Sequence, residues 1–290
     1  MKILACFAAM GAFAIAGCGS SSGTDPCKGV SGACTGIHAG ASHETIQTAL
    51  IEAKSGTTIA FEHGTYDLDL DLSLTVPGVT IQGEGKDNTI LSFKKQTTGA
   101  QGLLVNTTGT FTMHDIAIED AKGDCFKAQN VDGLTIREVR TEWTGGPKAE
   151  NGAYGIYPVQ SKHVLVEHCV AKGASDTGIY VGQSEDVILR DNDVEYNVAG
   201  IEIENTSRAD VHDNLATHNT GGILVFNLPG LQIKKGSGTR VYNNQMVDNN
   251  TDNFAPEGNT VAMVPRGSAS SGWPRTTSRS STTCSTARRR

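Results

Sequence analysis

A glycine followed by a large apolar residue returns along this chain at a fixed interval, and that recurrence limits the fold more than any local propensity. Gly155-Ile156, Gly178-Ile179, Gly200-Ile201 and Gly222-Ile223 are separated by steps of 23, 22 and 22 residues. In the same register Phe126 and Leu103 hold the isoleucine position, at steps of 30 and 23, the longer one containing an inserted loop. Two further columns keep phase with the first. Ten residues after its members come Met113, Ile136, Val166, Leu189 and Val211; thirteen after come Ile116, Val139, Cys169, Asn192 and Asn214.

A period of this length marks a solenoid, in which a unit too small to bury its own apolar face stacks on its neighbours. Within each unit apolar and polar residues alternate, the period of a strand. Rungs are therefore predicted to stack as parallel strands about 4.8 Å apart, and parallel crossovers have a strong right-handed preference. The expected fold is all-β, a right-handed parallel β-helix over residues 42–267. Asn192, Asn214 and, after a second insertion, Asn244 are expected to stack as an amide ladder inside a turn, the alternative being three surface turn residues.

The open end of a solenoid needs a cover. Residues 42–54 carry Ile46, Ala49, Leu50 and Ala53 at helical spacing, with Ser42 placed as N-cap and Gly56 just beyond the end, which predicts a capping helix. Strands are predicted at 57–61 and 79–82.

Ahead of this body, Lys2 and the apolar stretch 3–15 form an export signal, too short to span a bilayer comfortably. Ile15-Ala16-Gly17-Cys18 resembles the bacterial lipobox. That resemblance implies removal of residues 1–17, a lipid on Cys18 and a membrane-anchored protein of the cell envelope, in the periplasm or outer membrane; an ordinary secretory signal is the alternative. Residues 18–41 are expected to be a flexible tether. Cys27 and Cys34 remain as a close pair in an oxidising compartment, where a local disulfide is expected. Cys125 and Cys169 stand alone and read as packing residues, and no spacing resembles a zinc or haem site.

The formal charge is −7, with 24 Lys and Arg against 31 Asp and Glu. Five of the Arg (275, 279, 288, 289 and 290) and no acid lie in 268–290, which leaves 19 basic against 31 acidic residues, or −12, in the rest. An acidic body argues against nucleic acid as a partner, and against simple electrostatic capture of acidic polysaccharides unless a cation bridges. The segment 268–290 loses the repeat, and its composition predicts a disordered basic tail. In another reading frame the same stretch can spell a rung matching Gly178 to Asn192, so a frame shift near Gly267 is expected, the alternative being a genuine unstructured tail.

Inserted loops fall at 144–153, 228–239 and 251–267. The residues one and three places after each inward Ile-type residue point outward: Lys127, Gln129, Tyr157, Tyr180, Glu202, Glu204, Leu224 and Phe226. Aromatic rings beside carboxylates at rung spacing suit stacking on sugar rings and hydrogen bonding to hydroxyls, so Lys127, Tyr157, Tyr180, Glu202, Glu204 and Phe226 are the candidate binding residues. The alternative is a solvated face carrying ordinary β-formers. A second face bears His114, Arg137, Glu167, Arg190 and His212, flanked by Asp115, Glu138, His168, Asp191 and Asp213. Alternating charge there reads as a stabilising ladder, although a His beside an Asp can act as a base. Asp67, Asp69 and Asp71 alternate along a predicted strand and could collect Ca²⁺.

The runs EAKSGTTIAFEHGTY (52–66) and GVTIQGEGKDNTIL (78–91) resemble the opening rungs of the pectate-lyase-like right-handed β-helix superfamily, over about residues 42–267. Tyr154 to Pro158 and GASDTGIYV resemble alginate C5-epimerases. The acid and histidine that the epimerases carry are replaced here by Tyr157 and Val159, against epimerase or lyase chemistry. Polygalacturonases present a pair of Asp where SDTG (175–178) has one, so an inverting hydrolysis lacks its second carboxylate there. The chain is also similar to bacterial parallel β-helix repeat lipoproteins commonly encoded beside exported dihaem cytochromes c. Two functions are therefore carried forward: a lipid-anchored protein binding or processing a carbohydrate polymer, with catalysis left open, and a noncatalytic scaffold docking a periplasmic protein such as that cytochrome.

Overall fold

The computed structural model describes residues 25–273; the signal segment, Cys18 and most of the predicted tail lie outside them. The 22-residue period becomes a coil of parallel strands. Eight of them form a front sheet, in chain order Leu72–Leu74, Gln101–Asn106, Asp124–Gln129, Tyr154–Val159, Thr177–Gly182, Ala199–Glu204, Gly221–Phe226 and Ser268–Trp273. The other two sides merge into a 15-stranded back sheet, because Phe111–Glu119 and Asp132–Glu142 run round the corner between them without a break.

The register is that of the repeat. Leu103, Phe126, Ile156, Ile179, Ile201 and Ile223 are direct partners on successive front strands, and each is at most 1% exposed. Leu72 extends the column one rung further, below Leu103. Met113, Ile136, Val166, Leu189 and Val211 pair in the same way on the back sheet. Side chains stacked like this leave no water between rungs, which is what a single rung could not achieve.

Corners of one residue keep the rung short. Asp191, Asp213 and Asn243 occupy equivalent corners with φ of 55°, 56° and 54°, a left-handed conformation that Asn and Asp tolerate best after glycine. Inside the corners the expected ladder is present: Asn192 Nδ2 donates to Asn214 Oδ1 at 2.9 Å, and Asn214 Nδ2 to Asn244 Oδ1 at 2.9 Å. A second ladder, five residues on, has no counterpart in the sequence reading. There Asn197 donates to Asn219 at 3.1 Å and Asn219 to Asn249 at 2.9 Å. Hydroxyls make a third: the backbone N–H of Val131, Ser161 and Ser184 donate in turn to Ser161, Ser184 and Thr206.

The cap is the helix His43–Glu52, whose first turn is held by Thr45 N–H donating to Ser42 Oγ at 3.2 Å. Ile46 and Leu50 are buried over the end of the front sheet, and Gln47 exchanges two hydrogen bonds with the backbone of Ser73 in its first strand.

Two expected boundaries differ. Residues 25–41 are no loose tether, because Cys27 is bonded to Cys34 and Cys34–Ile37 pairs in parallel with Thr58–Phe61. The solenoid thus begins before the helix, which takes the place of a front strand in the first rung. At the other end, Ser268–Trp273 was expected within a disordered tail and instead pairs with Gly221–Phe226. The exposed edge of that strand presents unpaired backbone groups that any segment within reach can satisfy, whatever its side chains.

Candidate functional site

The outward face of the front sheet owes its shape to the repeated glycine. A Cβ on Gly178 would lie 2.7 Å from Asn197 Nδ2 and one on Gly200 3.0 Å from Asn219 Nδ2, both in the buried ladder. The glycine and the isoleucine after it therefore both face inward. Strand alternation is interrupted, and the residue two places before the isoleucine joins those one and three places after it on the outside. Asp124, Tyr154 and Thr177 arrive on the face by this route, with Asp176 beside them.

Across two consecutive rungs Tyr154 and Tyr157, from one strand, and Tyr180, from the next, pack together, with ring centroids 4.6, 4.6 and 4.9 Å apart. Lys127 places its ammonium over the Tyr157 ring, 4.7 Å from the centroid. The Tyr180 hydroxyl donates to Glu204, and Thr177 Oγ1 donates to Asp176 Oδ1 at 2.9 Å. Tyr154, Tyr180, Asp176, Glu202 and Glu204 line a pocket of about 380 Å³, whose opposite wall is Leu228, residues 258–261, Met263, Val264 and Pro265. The inserted loop 251–267 is held in shape by Asn253 Nδ2 donating to the carbonyls of Val261 and Val264. Its Val261 closes an apolar cluster with Val198, Ala199, Leu224 and Phe226.

Four carboxyls share this site, and burial is the first cause that raises each. Asp124 is pushed up to about 6 even though Lys127 opposes the shift. Asp176 is raised by burial, helped by the charges of Asp124 and Glu204 and opposed by hydrogen bonds from Thr177 and Tyr154. Glu202 is raised by burial and then by Asp176, and Glu204 by burial against the opposing Tyr180 hydrogen bond. Burial likewise pushes the Tyr157 phenol up to about 12. Carboxyls displaced toward neutrality, beside one another in a cleft, are suited to proton transfer at ordinary pH.

All six candidate residues lie on this face, but their surroundings differ from expectation. Lys127 and Tyr157 stand half-buried at the mouth. Tyr180, Glu202, Glu204 and Phe226, expected to point outward, are 4–9% exposed, because the inserted loop 251–267 folds over them. Gln129 turns aside to hydrogen-bond Gln160. Asp124, Tyr154 and Asp176 were not among the candidates. The single Asp of SDTG finds neighbouring carboxyls on the next rung, 26 and 28 residues on, where a search for adjacent pairs does not look. The glycine ahead of Leu103, Ile156, Ile179, Ile201 and Ile223, with Cys125 in its place ahead of Phe126, was the available signal.

The other proposed sites disperse. Of the three aspartates expected along one strand, only Asp67 is in a strand (Gly64–Asp67), where it pairs with Lys95 Nζ at 2.9 Å; Asp69 and Asp71 lie in the turn beyond. Among the described residues no group of three or more His, Cys, Asp or Glu is placed to hold a metal ion. On the back sheet His114 and His212 each contact the aspartate next in sequence at 2.6 Å, and Arg190 donates to Glu167 at 2.9 Å, the pairing of a charged ladder. Cys125 and Cys169 are buried thiols.

A family model described as a right handed beta helix region matches residues 101–261. No curated protein matches the chain in sequence. Among solved structures it is similar to the A-module of a mannuronan C-5 epimerase from Azotobacter vinelandii, at 16% identity, 71% coverage of either chain and a TM-score of 0.43. It is similar to an alginate lyase from Paenibacillus sp., at 14% identity over 73% of this chain and 94% of that one, TM-score 0.37. A pectin methylesterase in complex with a hexasaccharide is matched at 13% identity over 84% and 91% of the two chains, TM-score 0.39. At these identities the likeness concerns fold alone.

Proposed function

The chain belongs to the right-handed β-helix family, and from that premise we propose that its front-sheet pocket binds a carbohydrate, on a protein exported and anchored to the cell envelope through lipid on Cys18. The observation that carries the reading is that Tyr154 and Tyr180 line one pocket with Asp176, Glu202 and Glu204, and Tyr157 packs against both rings. Flat rings offer apolar faces for the C–H face of a pyranose, while carboxylates accept from its hydroxyls. Few side chains other than aromatics supply such a platform at low entropic cost. A pocket of about 380 Å³ falls in the lower part of the range for small-ligand sites, ~300–1,000 Å³. Such a site suits the end or a short stretch of a polymer.

Processing would use the same groups. A carboxyl held neutral can protonate a leaving oxygen while a second, ionised one assists on the other side; Asp176, Glu202 and Glu204 are the residues to test for that role.

The full chain on a glycan array, followed by calorimetry on the best ligand, tests the reading. Tyr157→Ala is expected to weaken binding tenfold or more, about 1.4 kcal/mol, with the circular dichroism spectrum unchanged. Failure to bind any glycan, together with recovery of an exported protein in a pull-down, would instead favour the docking scaffold.

A further inference from the structure

We infer that the pocket selects a positively charged sugar, the ammonium of an amino sugar seated between the three carboxylates and the tyrosine rings. The inference rests on the carbohydrate reading above and adds the charge of the ligand to it.

A census of charge around the cavity is the starting point. Asp176, Glu202 and Glu204 line it, and no Lys, Arg or His does. None of the three forms an ion pair among the described residues. Elsewhere on the rungs carboxylates are met by cations: Asp186 by Arg208 at 2.7 Å, Glu167 by Arg190 at 2.9 Å and Glu119 by Arg140 at 2.7 Å. The pocket acids are buried to 4–8% exposure, as deeply as the ion-paired Glu167 at 7%. An uncompensated buried charge costs several kcal/mol. The protein lowers this cost only in part, with the hydroxyls of Thr177, Tyr154 and Tyr180. The upward displacement of all three acids is the trace of what is left.

The second observation concerns the rings. Lys127 shows that an ammonium settles on the outer end of the aromatic cluster, 4.7 Å from the centre of Tyr157, an arrangement favourable by about 0.5–2 kcal/mol. Tyr154 and Tyr180 continue the same cluster into the pocket. A ligand ammonium there would meet ring faces and carboxylates together. A neutral sugar would leave the acids uncompensated, and a uronate would add a fourth negative charge beside them. The amino sugar is the sugar class that supplies the missing cation.

Seating that cation should pull the acids back toward their ordinary values, so binding near neutral pH should release protons. The test is isothermal titration of the full chain with glucosamine, N-acetylglucosamine and uronate oligomers of equal length, in two buffers of different ionisation enthalpy. The glucosamine oligomer is expected to bind at least tenfold tighter than its acetylated counterpart, with proton release. Glu202→Gln is expected to shrink that preference, and Asp176→Asn serves as a second variant should the first fold poorly. Equal or tighter binding of the acetylated or uronate oligomer would overturn the inference while leaving carbohydrate recognition intact. Binding of none of the three overturns the inference, and the glycan array then decides the carbohydrate reading, which falls if no glycan on it binds.

Discussion

Asp124 shows how one buried carboxyl can tie stability to pH. Its pKa rises from an ordinary 3.8 to about 6 on folding, chiefly through burial. Between those values the folded chain holds a proton that the unfolded chain has lost, so stability is greatest below the lower value and falls as pH rises through the upper one. The ion-paired Glu185 and Asp186 act in the opposite sense. Arg208 holds them below their usual range, and their contribution fades only in acid. Chemical denaturation at pH 5 and pH 8 is expected to show the wild type weaker at pH 8. Asp124→Asn should flatten that difference by up to about 1.4 kcal/mol, the equivalent of the one unit that lies between pH 5 and the raised value; a profile that the substitution leaves unchanged would remove Asp124 as its source. The amide ladder offers a test independent of pH. Asn219→Ala leaves the Asn197 side-chain and backbone N–H groups without the acceptor they share at 3.1 and 2.9 Å. Two buried donors at about 1–3 kcal/mol each predict a loss of roughly 2–5 kcal/mol in the same measurement. Column position made Asn192, Asn214 and Asn244 legible, whereas Asn197, Asn219 and Asn249 sit in a column continued upstream by the small Ala174, a weaker signal than the large apolar residues of the other columns. Of the site, Tyr157, Tyr180, Glu202 and Glu204 followed from strict alternation. Asp124, Tyr154 and Asp176 did not, since two consecutive inward residues break it.

At the level of elements, the break in period at 251–267 marked an inserted loop, but its destination could not be read from the break. Where it folds depends on which apolar surface is open to it. Leu224 and Phe226 stand outward on the last rung that keeps the Gly-Ile pattern, and Val261 with Val264 covers them. The loop thereby turns a groove that would run the length of the front sheet into a pocket stopped at one end. A sugar chain lying along the rungs from Lys127 toward Glu204 would have to terminate there. Replacing 255–264 by a short Gly-Ser connection is expected to unstop the groove, and affinity should then keep rising with oligosaccharide length where the wild type levels off after a few units. A length dependence identical in both proteins would show that the loop does not bound the site. Exposing Leu224 and Phe226 should also lower solubility, which light scattering detects.

For the molecule as a whole, strand pairing runs only between neighbouring rungs, and this separates the fate of its ends from that of its middle. The helix His43–Glu52 covers one end of the front sheet, and outside it the strand Cys34–Ile37 pairs with a single neighbour, Thr58–Phe61. Among the described residues that terminal strand has no partner on its other side. The Cys27–Cys34 bond ties its start to a turn in which Lys28 and Val30 N–H donate to the carbonyls of Asp25 and Cys27. The bond closes a loop of sequence separation 7, so the chain-entropy contribution is modest, of order 2 kcal/mol. In a globular domain such a loss would lower the stability of every part together. In a stack of nearest-neighbour units it should act locally. Reduction, or Cys27→Ser with Cys34→Ser, is therefore expected to speed amide exchange across 34–37 and 58–61. Exchange in the rungs between Ile156 and Ile223, each bounded by rungs on both sides, should keep its original rate. Hydrogen exchange read by mass spectrometry distinguishes the outcomes: uniform acceleration along the chain would mean that the stack unfolds as one unit, and that the first rung carries more of its stability than a nearest-neighbour solenoid allows.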